Sequence, residues 1–456
     1  MTVGSLGAQE SNPPTCSVPP EAREKVSRYL DLALSSATKI KSDYDRSQLI
    51  AQIAGGKVCV KEFRSAAHLS DLAYPSGSDA ADGLGRAVAQ SGSLADVPAL
   101  EASMTHGTSS FLYGLSEGLA IEGRFAEADS WARRIPSPEV REEAESIVTI
   151  ALYRAGKKDE ALARSKASFE KLSVKAKAET SLAEIELQLA ASANDWLDAH
   201  SHLDQLPAGI AKRYMLTILA AQEAEKNAPD AQSDLLAASA QFNAKQDPPY
   251  EGYLIAAHLA GIGDFPAAIK SAEAVRDDEW NQKCWSTIAS FQAEAGMLSE
   301  ARASIAKIGR GDLEHALGLE AEGRDMARIF VASGLSAGGK PDAALTLLAE
   351  REDKADYTTD REFVQARVQA LAVKGDLDEA RQTVETKLAT DVVIDEQDET
   401  LAESLATNWY AKSPSAVEQW IFHLKNESIR ASCWIALASA AMGQKPVVPH
   451  YFVNWD

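Results

Sequence analysis

Six times along this chain a glycine is followed five residues later by an alanine: Gly123/Ala128, Gly156/Ala161, Gly263/Ala268, Gly296/Ala301, Gly339/Ala344 and Gly375/Ala380. Each glycine closes an apolar-periodic segment, and each alanine sits just inside the next. Helices commonly end on a left-handed residue, a conformation glycine adopts without steric penalty. The pattern is therefore that of a helix–turn–helix unit repeated many times. Such a unit cannot bury its apolar face alone, so the period dictates an array of stacked neighbours.

Weaker copies fill the gaps. Asn194/Ala199 keeps the spacing with Asn, which tolerates the same backbone, and Lys226/Ala231 keeps only the alanine, with Pro229 in the turn. From Gly123 to a last turn at Ala411, 288 residues hold eight intervals of mean 36, ranging from 32 to 43. Earlier turns are expected near Gly92 and Gly56. The first helix of each unit reads as a basic residue followed by apolar positions three to four apart. Arg141 through Ile147, Ile150 and Leu152 to Gly156 is one example, and Lys283 through Trp285, Ile288 and Phe291 to Gly296 is another. That is helical periodicity with one buried stripe. The chain is 45% hydrophobic but only 7% aromatic, so small side chains dominate and allow close helix approach. Alternating strand patterns with hairpin turns are missing, and the expected class is all-α.

The units resemble tetratricopeptide repeats (TPR), whose pattern runs bulky residue, Leu-Gly/Ala, aromatic or Leu, Gly, then Ala five later. Trp285, Ile288, Ala289, Gly296 and Ala301 occupy those places in one unit, and Leu112, Leu115, Leu119, Gly123 and Ala128 in another. The departures are the uneven spacing, the missing repeat-closing proline and several turns without glycine. The resemblance covers roughly residues 45–440 and implies a right-handed superhelical solenoid of about eleven stacked helical hairpins. The array is expected over residues 20–443, between a disordered tail at 1–19 and an extended aromatic tail at 444–456. That second tail carries Tyr451, Phe452 and Trp455 and is expected either to cover the last helix, Glu427–Gly443, or to dock elsewhere.

Composition excludes several functions. The net charge is −21, from 67 acidic against 46 basic residues, and no basic stripe is present to neutralise phosphates. Nucleic acid and anionic membranes are poor partners for such a chain. Cys16, Cys59, Cys284 and Cys433 lack C-x-x-C spacing; the last three are expected as buried thiols, without a metal site or disulfide framework. No apolar run of about 18 residues predicts a membrane span. At the N-terminus Ser5-Leu6-Gly7-Ala8 resembles the end of a signal peptide, yet no basic or long apolar region precedes it. The segment is either an ordinary tail or the remnant of an export signal. The compartment stays open, with the cytoplasm slightly favoured.

Two strings imitate catalytic motifs. Gly114-Leu115-Ser116-Glu117-Gly118 satisfies G-x-S-x-G, but the flanking residues continue a helix, whereas a nucleophile elbow needs a strand before a strained turn. Gly334 to Lys340 fits most of a P-loop, but Pro341 follows, without the hydroxyl that holds Mg²⁺. His200 and His202 are two apart, which on a helix points them away from each other. The acidic stretch Asp391–Glu403 lacks the central glycine of a calcium loop and is expected as a linker leading into a helix. Gly309-Arg310-Gly311-Asp312 lies in the longest interval and is expected as an ordinary longer turn, the alternative being an insertion that projects a loop from the array. No catalytic residue, metal site or cofactor is assigned.

The reading is a non-enzymatic scaffold that binds a protein or peptide along its helical array. The family's groove positions, carried over, are Tyr113, Glu117, Tyr153, Arg154, Tyr250, Tyr253, Gln365 and Gln369. The alternatives are an enzyme on an α/α toroid, carbohydrate-active, or a peptide-sensing regulator. The oligomeric state is not legible.

Overall fold

The computed structural model describes residues 18–171, 181–308, 320–350, 358–390 and 396–443. Among them are 24 α-helices and no strand. None of these helices is long and apolar enough to cross a membrane. The fold is an all-α helical-repeat solenoid, and the chain divides into two compact units. The N-terminal tail up to residue 17, Gly309 to Asp312 and the aromatic tail 444–456 lie outside the described residues.

The first unit takes residues 18–171 and 396–443. Its helices are α1 (Pro20–Ala37), α2 (Asp43–Cys59), α3 (Phe63–Leu72), α4 (Ser78–Ser91), α5 (Val97–Ala102), α6 (Thr108–Ile121), α7 (Phe125–Ala132), α8 (Pro138–Arg154) and α9 (Lys158–Lys171), joined late in the chain by α22 (Glu396–Tyr410), α23 (Pro414–His423) and α24 (Glu427–Ala441). The second unit holds α10 (Leu182–Ser192), α11 (Trp196–Gln205), α12 (Ile210–Glu225), α13 (Ala231–Gln241), α14 (Pro249–Gly261), α15 (Phe265–Ala274), α16 (Asp278–Glu294), α17 (Leu298–Ile305), α18 (Glu320–Ala337), α19 (Pro341–Leu348), α20 (Thr358–Lys374) and α21 (Leu377–Thr390). Pairing each even-numbered helix from α2 to α22 with the helix that follows gives eleven sequential hairpins. Within each unit the first helices of neighbouring hairpins pack side by side, as α2, α4, α6 and α8 do, and as α12, α14, α16, α18 and α20 do.

One turn chemistry recurs. Gly123 is left-handed at φ 75°, and the Arg124 amide reaches back to the Leu119 carbonyl at 2.8 Å, closing a Schellman motif. The same reach-back bond joins Lys157 to Leu152, Asp264 to Leu259, Met297 to Gln292 and Lys340 to Leu335. The alanine five residues on is then buried: Ala128, Ala161, Ala268 and Ala344 are all fully inaccessible. Where glycine is missing, asparagine substitutes, at Asn194 (φ 58°) and Asn227 (φ 54°). Two expected turns are displaced. Lys226 keeps ordinary backbone and Asn227 takes the left-handed position instead. The turn expected near Gly56 lies at Lys61 (φ 65°), with Ala66 as its buried alanine. Gly56 is inside α2, where a Cβ would stand 2.6 Å from Leu30 Cδ2 on α1. That glycine serves helix approach, not chain reversal.

The α4/α6 contact is tighter still. A methyl group on Gly85 would run into the Phe111 carbonyl, one on Gly114 into the Asp82 carbonyl, and one on Gly118 would stand 2.7 Å from Ala89 Cβ. The G-x-S-x-G string is thus a helix-packing surface. Its Ser116 is fully buried and donates to the Ala128 carbonyl at 2.9 Å. The P-loop imitation is likewise a helix end: α18 runs through Gly334, and Lys340 Nζ donates to the Glu294 carbonyl at 2.8 Å.

Helices α1 and α24 build a further hairpin in the first unit. Helix α24 ends on left-handed Gly443 (φ 78°), as the first helices of other hairpins do. The helix packed against it in the second-helix place is α1. The pair is antiparallel: Lys39, just past α1, lies 3.8 Å from Glu427 at the start of α24. At its centre fully buried Tyr29 stacks on Trp434 at 5.6 Å, and its hydroxyl donates to Glu418 Oε1 at 2.5 Å. Buried Lys57 then ties α2 to α1, its Nζ donating to Asp31 at 2.7 Å and to Glu62 at 2.8 Å. A buried cation is tolerated only with partners of this kind.

Cys284 and Cys433 are buried free thiols, but Cys59 is disulfide-bonded, its partner lying outside the described residues. This corrects the expectation of a buried thiol there; four cysteines without a spacing motif carry no signal of pairing. Of the acidic stretch, residues 391–395 lie outside the described residues, and Glu396 onward is α22.

Gly114→Ala should lower stability by roughly 2 kcal/mol or more, because two backbones must separate. Gly123→Ala, with open space around it, should cost about 1 kcal/mol through its backbone alone. Urea-midpoint shifts of equal size would show that α4 and α6 are not in close contact. Tyr29→Ala should cost roughly 3–5 kcal/mol. A circular permutant joining the two ends and opened at the Gly123 turn should keep the helical circular dichroism of the parent; its failure to fold would speak against the hairpin made from α1 and α24.

Candidate functional site

The residues carried over as groove positions separate by burial. On α8, Tyr153 is 2% exposed, with Lys158 Nζ 5.1 Å over its ring. Tyr253 on α14 and Gln369 on α20 are 9% and 7% exposed. These three offer little surface and take part in packing. Arg154 is exposed, while Tyr113, Glu117, Tyr250 and Gln365 are half-buried with surface to offer.

Tyr113 and Glu117 lie four apart on α6, hence on one face. Opposite them on α4, Arg86 donates to Asp82 at 2.8 Å and lies 3.2 Å from Glu117. Two carboxylates share one guanidinium there. Burial lifts Asp82 to about 7, with Glu117 adding to the rise and Arg86 opposing it.

In the second unit, three aromatic side chains stand on consecutive first helices. Tyr214 on α12 meets Tyr250 on α14 edge-on at 6.3 Å, and Tyr250 meets Trp280 on α16 at 6.2 Å. All three are half-buried. Tyr253 supports the run from beneath, 5.5 Å from Trp280, and Lys283 Nζ sits 4.1 Å over the Trp280 ring. Tyr214 and Trp280 were not singled out from the sequence. The available signal was an aromatic near the start of each of three successive first helices.

The ledge has a charged footing. Arg213 grips Asp247 with Nη2 at 2.5 Å and Nε at 3.2 Å. Burial works to raise Asp247, but Arg213 and the Asn243 amide outweigh it and hold the carboxyl below its usual range. Next to it, Glu251 is 2% exposed with an unpartnered Oε1, and burial, then the Asp247 charge, lifts it to about 7.

A second cluster joins α11, α12 and α13. His200 Nε2 lies 2.9 Å from Glu223 Oε1 and 3.4 Å from Asp234 Oδ2. The Glu223 hydrogen bond raises the imidazole above its ordinary value, and burial followed by Glu223 raises Asp234 to about 6. His202 faces elsewhere, towards Glu186 at 3.4 Å. The spacing of the two histidines does put them on different faces, and the partners of His200 come from helices far along the sequence.

No family model and no curated protein matches the sequence. Among solved structures, the chain is similar to the pentatricopeptide repeat protein PPR10 from maize, at 15% identity and TM-score 0.30, over 94% of this chain and 74% of that one. It is also similar to the TPR domain of P58(IPK), at 16% identity and TM-score 0.20, over 84% of this chain and all of that domain. The fold assignment rests on the helix pairing above, not on these scores.

A carboxyl raised in the folded state holds a proton that the unfolded chain releases near pH 4, so its contribution to stability declines as pH rises from about 4 to 7. Asp82→Asn should remove that decline. It should stabilise the chain by roughly 1–3 kcal/mol at pH 8 and leave it nearly unchanged at pH 4. Thermal melts at the two pH values check this, and a loss of stability at pH 8 would show that the Arg86 ion pair dominates.

Proposed function

We propose that this chain is a non-enzymatic scaffold that binds a protein or peptide, and that the ledge of Tyr214, Tyr250 and Trp280 is where the partner lies. The carrying observation is the half-buried aromatic run across three consecutive first helices, at ring spacings of 6.2 and 6.3 Å. Aromatic rings supply large contact area with few rotatable bonds, and they anchor interfaces out of proportion to their number. An extended segment crossing successive hairpins would meet one ring per hairpin. Arg213, flanking the ledge, offers a guanidinium already held by Asp247, and Lys283 adds a cation over the last ring. The net charge of −21 supports a basic protein partner over nucleic acid.

Peptides selected on the purified chain should lose about 30-fold in affinity with Trp280→Ala or Tyr250→Ala, the effect expected of interface anchors. Tyr113→Ala in the other unit should leave affinity unchanged, and association should slow as salt rises. Fluorescence anisotropy measures all three. Equal binding by wild type and both ledge variants would sink the assignment of the ledge, and turnover of a small substrate by the purified chain would sink the scaffold reading itself.

A further inference from the structure

Hairpins α10/α11 and α12/α13 both turn on asparagine, Asn194 and Asn227, where most others use glycine. At this place three side chains from three helices converge. His200 comes from the middle of α11, Glu223 from the last turn of α12, and Asp234 from the first turn of α13. One ligand atom from each lies within 4.8 Å of the others. We propose that His200 Nε2, Glu223 and Asp234 form a binding site for a first-row divalent transition metal ion such as Zn²⁺, which staples hairpin α10/α11 to hairpin α12/α13.

Three observations carry this. The first is geometry. An ion bound at about 2.0–2.1 Å by tetrahedral ligands separates them by roughly 3.3 Å. The distances from His200 Nε2 are 2.9 Å to Glu223 and 3.4 Å to Asp234, so these contacts can open around an ion with small side-chain rotations. The second is an unsatisfied atom. Glu223 is fully buried, and its Oε2 has no hydrogen-bond partner although Oε1 faces His200. A buried carboxylate oxygen left bare costs on the order of 1–3 kcal/mol, which an ion in the cluster would recover. The third is charge. The groups acting on His200 are Glu223, Asp234 and Asp204, and Asp230 acts on Asp234; all are acidic. One imidazole cannot balance two adjacent carboxylates, whereas a divalent ion can. An imidazole with two carboxylates suits a borderline ion better than Mg²⁺ or Ca²⁺, which take oxygen ligands.

The full-length chain, stripped with a chelator and dialysed, is titrated with ZnCl₂ by calorimetry, and Co²⁺ is substituted to read the ligand field in the visible spectrum. One equivalent should bind, with a Co²⁺ spectrum of low coordination number and a rise in melting temperature. His200→Ala and Asp234→Asn should each weaken binding at least about 100-fold, beyond the 10–100-fold typical of residues that only orient ligands. Both leave buried Glu223 in place, so they retain the fold if Glu223→Gln does not. His202→Ala, two residues from the site, should bind like wild type. No stoichiometric Zn²⁺ binding, or binding that His200→Ala and Asp234→Asn leave intact, overturns the proposal.

Discussion

The left-handed residue that ends most first helices, and the buried alanine that usually lies five positions later, set the geometry on which the rest depends. The turn brings the second helix back at a fixed angle, and the alanine lets it lie against the first without a gap. Ala128, Ala161, Ala268 and Ala344 are all fully inaccessible because they occupy that contact. With the hairpin angle set, each first helix has one free apolar stripe, and only the next hairpin can cover it. Every other feature is an adjustment to that demand.

The same demand holds for α24. Here α1 takes the second-helix place beside α24, and Tyr29 fills the core between them against Trp434. Polar groups near that contact find partners, as when Ser432 donates to Glu399 at 2.9 Å and the Tyr29 hydroxyl to Glu418. The α4/α6 contact solves a related problem in another way. Gly85, Gly114 and Gly118 remove side chains from both faces, so the backbones meet and Asp82, Arg86 and Glu117 are left crowded at the rim. Close approach and the displaced titration of Asp82 are two consequences of one choice of small residues.

Much of this was legible from single residues. Glycine or asparagine at the end of an apolar run, with alanine beyond, marked most of the turns, since few other residues tolerate left-handed backbone. The errors have the same root. Gly56 reads as a turn because a glycine inside a helix, needed for the approach of Leu30, looks identical in sequence to one at its end. Lys61 escaped notice because lysine rarely adopts a positive φ. Tyr113, Glu117, Tyr250 and Gln365 keep some surface, but Tyr153, Tyr253 and Gln369 keep little, because one step around a helix separates an exposed position from a buried one.

The sequence by itself determined the helical class, the hairpin unit and most of its turns, since all of these follow from local backbone preference and apolar period. Only the tertiary structure decided which helix covers α24, which aromatic rings line up across hairpins, and that His200 meets Glu223 and Asp234. Those outcomes depend on the rotation and offset of one hairpin against the next, and these arise from packing between residues far apart in the chain, where local sequence carries no signal.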